Sequence, residues 1–143
     1  GLLVFADYIA STADYEDKTY TFGGRYTLNN LAVMGEYEVD TGLVSDELPA
    51  GTHESTVSWM LGGSLKLGSS TLSASYGRAR RGELLGDYST FSLTGTHALG
   101  KRTRLFAGYS TIDCDNRDAY SCSDVAREAG DDERVSFGMQ HNF

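Results

Sequence analysis

The chain has 143 residues, enough for one domain or for part of a larger one. Its formal charge of −8 argues against nucleic acid as a partner, which would require a basic stripe. Apolar residues make up 40%, and no window approaches the roughly 18 apolar residues of a membrane helix, which leaves open a membrane-spanning sheet because its strands alternate. The chain begins at Gly1 with no charged-then-apolar leader, so any signal peptide is expected to have been removed or to lie outside this sequence.

The first stretch, L-L-V-F-A-D-Y-I-A, puts Leu2, Val4, Ala6 and Tyr8 on one parity, and polar Ser11 to Lys18 follows as a loop. Thr19 to Leu28 sets Tyr20, Phe22, Gly24, Tyr26 and Leu28 against Thr19, Thr21, Gly23, Arg25 and Thr27. Asn29-Asn30 is a two-residue turn signal, since Asn tolerates positive φ. Leu31 to Asp40 alternates Leu31, Val33, Gly35, Tyr37 and Val39 with Ala32, Met34, Glu36, Glu38 and Asp40. A longer loop, Thr41 to Glu54, holds the only proline, Pro49. A fourth strand carries Val57, Trp59, Leu61, Gly63, Leu65 and Leu67 on its apolar face. Gly68-Ser69 turns the chain into a fifth, led by Leu72, Ala74 and Tyr76. After a loop around Arg80 to Asp87, Phe91, Leu93, Gly95, His97 and Leu99 make a sixth. Gly100-Lys101-Arg102 turns into a seventh, with Thr103, Leu105, Ala107, Tyr109 and Thr111. A polar stretch with both cysteines leads to the last eleven residues, where Val135, Phe137, Met139, His141 and Phe143 oppose Arg134, Ser136, Gly138, Gln140 and Asn142.

Odd strands share an apolar-x-small-x-Tyr pattern: Val4-Ala6-Tyr8, Val33-Gly35-Tyr37, Leu72-Ala74-Tyr76 and Leu105-Ala107-Tyr109. Even strands end on Gly24-Tyr26-Leu28, Gly63-Leu65-Leu67, Gly95-His97-Leu99 and Met139-His141-Phe143. Phe143 therefore occupies the place of the Leu before each tight turn. Tight turns lie on the side of the C-terminus and long polar loops on the other, the asymmetry of a transmembrane β-barrel. The expected fold is all-β, an antiparallel up-and-down transmembrane barrel with eight strands present. Tyr8, Tyr37, Tyr76 and Tyr109 are the expected interface aromatics.

The polar face is mainly Ser, Thr and Gly, among them Ser73, Ser75, Gly77, Ser92, Thr94, Thr96, Gly108, Ser136 and Gly138. That is a poor water-facing exterior for a soluble barrel and a suitable lumen wall. Its charges, Arg25, Glu36, Glu38, Lys66, Arg104 and Arg134, are the expected pore-lining groups. Both signs occur, so no selectivity follows. Arg78 and Arg80 continue the outward parity past Tyr76, towards lipid headgroups or a neighbouring subunit.

No nucleophile, base and orienting group converge from this pattern, so no enzyme and no cofactor are expected. His97 and His141 occupy interface-facing slots and His53 a loop. Glu36 and Glu38 read as a charged patch on a wet wall rather than a catalytic pair. Cys114 and Cys122 lack the His and Cys neighbours of a metal site, and a disulfide closing a short loop is the better reading. Asp113, Asp115 and Asp118 do not make a calcium loop, because Asp118 stands where Gly is needed and Asp124 where Glu is needed.

Two stretches carry a family resemblance. The ending G-M-Q-H-N-F resembles that of Gram-negative general porins, and Gly95 to Tyr109, G-T-H-A-L-G-K-R-T-R-L-F-A-G-Y, resembles their hairpin Y-x-L-S-K-R-T-x-L-Y-A-x-Y. Gly100 replaces the usual Ser and Phe106 the usual Tyr. No first strand of the V-T-L-Y-G kind and no clear constriction loop is found. The resemblance implies a sixteen-stranded, trimeric barrel, of which this chain supplies the C-terminal half. It implies that Val135, Phe137, Met139, His141 and Phe143 form a signal read by the barrel-assembly machinery. It also implies an outer-membrane location among lipid and lipopolysaccharide, with both termini periplasmic, and passive diffusion of small hydrophilic solutes and ions. The competing architecture is a self-contained eight-stranded barrel with a structural or adhesive role and no conductance. The small inward residues favour a wide wall, since eight strands leave an interior that side chains must fill.

Overall fold

A computed structural model describes residues 1–10, 18–43, 54–81, 86–115 and 133–142. No described residue is helical. The strands are β1 (Leu2–Ala10), β2 (Lys18–Leu28), β3 (Leu31–Leu43), β4 (Glu54–Leu67), β5 (Ser70–Arg80), β6 (Tyr88–Ala98), β7 (Thr103–Cys114) and β8 (Glu133–His141). They form one antiparallel sheet in chain order, β1 to β8, and β1 does not pair with β8. The sheet is therefore a curved wall that does not close on itself.

Alternation creates two faces, and curvature tells them apart. Along β5 the large Leu72 and Tyr76 are exposed, while Ser73 and Ser75 are half-buried and Gly77 is buried. Small side chains lose more exposure than large ones only where neighbouring strands lean together, so the polar face is concave. The sole buried apolar residues among those described are Ala32 and Ala79, both on that face, at 4% and 3% exposure. Among the described residues the wall has no hydrophobic core of its own. Its convex face leaves Leu2, Phe22, Leu61, Leu93 and Phe137 in the open, the last at 86%. A soluble sheet could not stand with such a face uncovered.

The tight turns are where the sequence puts them. Asn29 and Gly68 hold φ of 52° and 60°, the left-handed conformation that two-residue hairpin loops require. Each turn also clips the next hairpin. The Asn30 carbonyl accepts from the Lys66 amide at 2.8 Å while Asn30 Nδ2 donates to the Lys66 carbonyl at 3.1 Å.

On the loop side the ladders run further than the apolar alternation. β3 reaches Leu43 past a register shift after Asp40, β4 starts at Glu54, β5 continues to Arg80, β6 starts at Tyr88 and β7 reaches Cys114. Backbone pairing needs no apolar side chain, so strands can rise beyond the lipid. Their outward residues there, Arg78, Arg80, Ser89 and Asp113, turn polar.

The register also gives the tilt. Tyr109 is level with Leu93 and Ala74, two residues short of Tyr76. Tyr76 is level with Leu61 and Gly35, two short of Tyr37, and Tyr37 with Phe22 and Ala6, two short of Tyr8. The belt thus drifts one residue per strand, about 3.4 Å along against about 4.8 Å across, which is a tilt of about 35°. The turn-side belt drifts equally, since Leu28 is level with Leu31 and Leu65, and Leu67 with Ser70 and His97. The two belts lie about seven residues apart along a strand, or about 20 Å along the barrel axis, close to the apolar band of about 25 Å in outer-membrane barrels.

Candidate functional site

The concave face is the candidate site, and cross-strand rows build it. One row runs Leu3, Arg25, Met34, Gly62, Ser75, Ser92, Ser110 and Arg134. Two further rows above it hold Glu36, level with Met60 and Gly77, and then Glu38, level with Asp7 and Ser58. Below lie Lys66, level with Thr71, and Arg104, level with Gln140. All six charges expected to line a pore thus share this face. Among the described residues no ion pair joins any of them to another, and no His, Cys, Asp and Glu cluster could hold a metal.

Hydroxyls and amides hold these groups in place. Thr21 Oγ1 donates to Glu38 Oε2 at 3.2 Å, and Thr19 Oγ1 to Asp40 Oδ1 at 2.7 Å. Arg104 Nε donates to Gln140 Oε1 at 2.8 Å, and the Ser75 and Ser92 hydroxyls bond at 2.8 Å. Two inward acids, Asp7 and Asp40, belong with the six although sequence reasoning did not count them. Asp40 continues the parity of Glu36 and Glu38, a usable signal. Asp7 sits in a strand apolar on both parities, opposite the Val4-Ala6-Tyr8 parity, and its register against Thr21 places it on the concave face. The four acids gather towards the loop side of β1–β3. The cations lie on β2, β4, β7 and β8, and Lys66 and Arg104 near the turn side.

The wall is less uniformly small than the alternation suggests. Phe5, facing Gly23, and Phe106, facing Gly138, lay their rings over those glycines. A Cβ at Gly138 would come within 2.5 Å of the Phe106 ring, so this position is covered rather than open to water. A glycine bares backbone in a strand, and an aromatic on the adjacent strand shields it. Leu3, Met34 and Met60 add apolar surface beside Arg25 and Glu36.

The convex face carries the four expected aromatics. Tyr8 packs on Tyr20 with ring centroids 5.0 Å apart, Tyr76 on Trp59 at 5.6 Å, and Tyr37 stands exposed. Tyr109 is half-buried and level with Val135, one diagonal step from Glu133. Arg78 pairs with Asp115, and with Asp87 at 3.6 Å, which holds it against the sheet. Arg80 remains exposed. Val135, Phe137, Met139 and His141 share the outward parity of β8, and Thr103 Oγ1 bonds His141 Nδ1 at 2.8 Å. Phe143 lies outside the described residues, as do Cys122, His53 and most of the loop acids; Cys114 ends β7.

An unclosed, tilted sheet, apolar and bare outside, hydroxylated and charged inside, is a wall segment of a transmembrane β-barrel. The sequence comparison narrows this: the model of the Gram-negative porin family matches residues 4–117. The chain belongs to the Gram-negative porin family, whose proteins are barrels of the outer membrane. The matched stretch runs from within β1 to just past β7 and includes the Gly95–Tyr109 hairpin, while the terminal strand lies beyond it. Among curated proteins and solved structures, nothing matches the chain.

Proposed function

We propose that this chain forms half of the wall of a water-filled, sixteen-stranded channel that passes small hydrophilic solutes and ions by passive diffusion. One observation carries the reading. Among the described residues, the concave face presents hydroxyls, amides and eight charges of both signs to a space that eight strands do not enclose. In lipid an open strand edge is too costly to leave unpaired, so β1 and β8 must each find further strands. A wide barrel also suits a wall of Ser, Thr and Gly, because each simply meets water. The self-contained eight-stranded barrel has less support, since β1 and β8 do not pair.

The finer properties follow the same resemblance. The assembly is a homotrimer, with the tight turns and both termini in the periplasm and the long loops facing lipopolysaccharide. The outward residues of β8 and Phe143 serve as the signal for the barrel-assembly machinery. A disulfide joins Cys114 to Cys122 at the extracellular end. The deciding experiment is single-channel recording of the purified full-length protein in planar bilayers. Ohmic steps that scale with salt concentration support a channel, and a silent, fully inserted protein refutes it.

A further inference from the structure

The convex face is not smooth. A shallow, open groove of about 800 Å³ crosses β5 to β8. Gly95 and Ala107 form its floor, and Leu72, Leu105, Phe137 and Met139 its walls. A Cβ on Gly95 would meet nothing within 4 Å, so the hollow is missing volume rather than a crease between packed side chains. It begins at Leu67 and Ser70 on the turn-side belt and climbs to Phe137, well into the apolar band.

Its lower end is polar and basic. Ser70 Oγ and His97 Nδ1 lie 2.8 Å apart at the rim. The turn that follows His97 carries Lys101 and Arg102, both exposed, whereas the Asn29-Asn30 and Gly68-Ser69 turns carry no charge. An apolar trough leading up from this basic tight turn, the one such turn among the described residues, has the polarity of a phospholipid, hydrocarbon above and phosphate below. We propose that the groove binds one anionic phospholipid of the periplasmic leaflet, its acyl chain lying along Gly95 and its phosphate at His97, Lys101 and Arg102. A cation held near a membrane surface favours anionic lipid by about fivefold, so the two together give the site its preference. The proposal rests on the reading above that the convex face meets lipid with the tight turns periplasmic.

The test counts retained lipid. Full-length protein is exchanged into detergent micelles containing equal phosphatidylglycerol and phosphatidylethanolamine with matched acyl chains, and native mass spectrometry reads the bound molecules. The wild type is expected to keep phosphatidylglycerol in preference. Replacing Lys101 and Arg102 together by Gln should bring the two lipids to near parity, with about a fivefold loss of preference for each cation. Gly95→Trp should fill the trough and abolish retention of both lipids while heat-modifiable migration shows a folded barrel. Equal retention of the two lipids by the wild type would overturn the proposal. So would a Gly95→Trp protein that keeps its lipid, or one that instead loses its oligomeric state, which would mark the groove as a subunit contact. Gly95 faces away from the lumen, and conductance is recorded on the same samples. A failure of the channel reading therefore shows in the current and not in the lipid count.

Discussion

A single arginine placed on the convex face measures how deep each position lies in lipid. Val33 points outward on β3, level with Tyr26 and Gly63 and four residues before Tyr37. With a tilt of about 35°, it lies about 11 Å below the tyrosine belt and about 8 Å above the turn-side belt, near the middle of the apolar band. Leu67 lies on the turn-side belt itself. Val33→Arg should therefore cost about 2–4 kcal/mol, and Leu67→Arg about 0–1 kcal/mol, because only the first charge has no headgroup region within reach. The assay is equilibrium urea titration of the full-length protein folded into lipid vesicles, comparing midpoints at unchanged slope. Equal costs at the two positions, or no cost at Val33, would refute the assignment of this face to lipid and the belt geometry with it.

Three other outcomes follow from the remaining residues. Deleting Phe143 should cut insertion into the outer membrane of cells far more than folding into detergent; equal loss in both would make it an ordinary lipid-facing anchor. Unreduced protein should weigh two hydrogens less than the dithiol through Cys114 and Cys122, and reduction should cost at most about 2–3 kcal/mol because the closed loop is short; two thiols free to alkylate would dismiss the bond. Replacing Glu36 and Glu38 by Gln removes half of the acids on β1–β3 and should lower cation-over-anion permeability by a factor on the order of two. An unmoved reversal potential would show that permeating ions do not pass this wall.

Much of the wall was legible in sequence because period-two alternation assigns faces without knowledge of pairing. Arg25, Glu36, Glu38, Lys66, Arg104 and Arg134 each sit in strands where apolar and polar residues alternate over most of their length, and each faces inward. β1 shows where that logic stops. Leu2, Leu3, Val4 and Phe5 are apolar on both parities, so in sequence β1 takes its faces from the shared Val4-Ala6-Tyr8 pattern alone, and the pairing of Leu2 with Tyr26 and Phe5 with Gly23 places Leu3 and Phe5 on the concave face. Phe106 hid for a related reason: an inward aromatic breaks the pattern, and what it shields, Gly138, lies thirty-two residues away in sequence and directly opposite in the ladder. The strand ends on the loop side were short in the sequence reading because alternation fades where the outward residues leave lipid, while backbone pairing continues. Closure was beyond reach altogether. Both architectures use the same hairpins, and they differ only in what meets the edges of β1 and β8.

The central claim is that one face of this sheet meets moving water and the other meets lipid, and paired cysteines on adjacent residues test it most directly. In a full-length protein with Cys114 and Cys122 replaced by Ser, single cysteines are placed at inward Ser75 and Ser92 and at outward Ala74 and Leu93, which face each other across β5 and β6. A charged, water-soluble thiol reagent is then added during bilayer recording. Ser75→Cys and Ser92→Cys should react and the current fall, while Ala74→Cys and Leu93→Cys should stay unmodified and the current hold. Modification of the outward pair, or modification of the inward pair with no change in current, would contradict the claim.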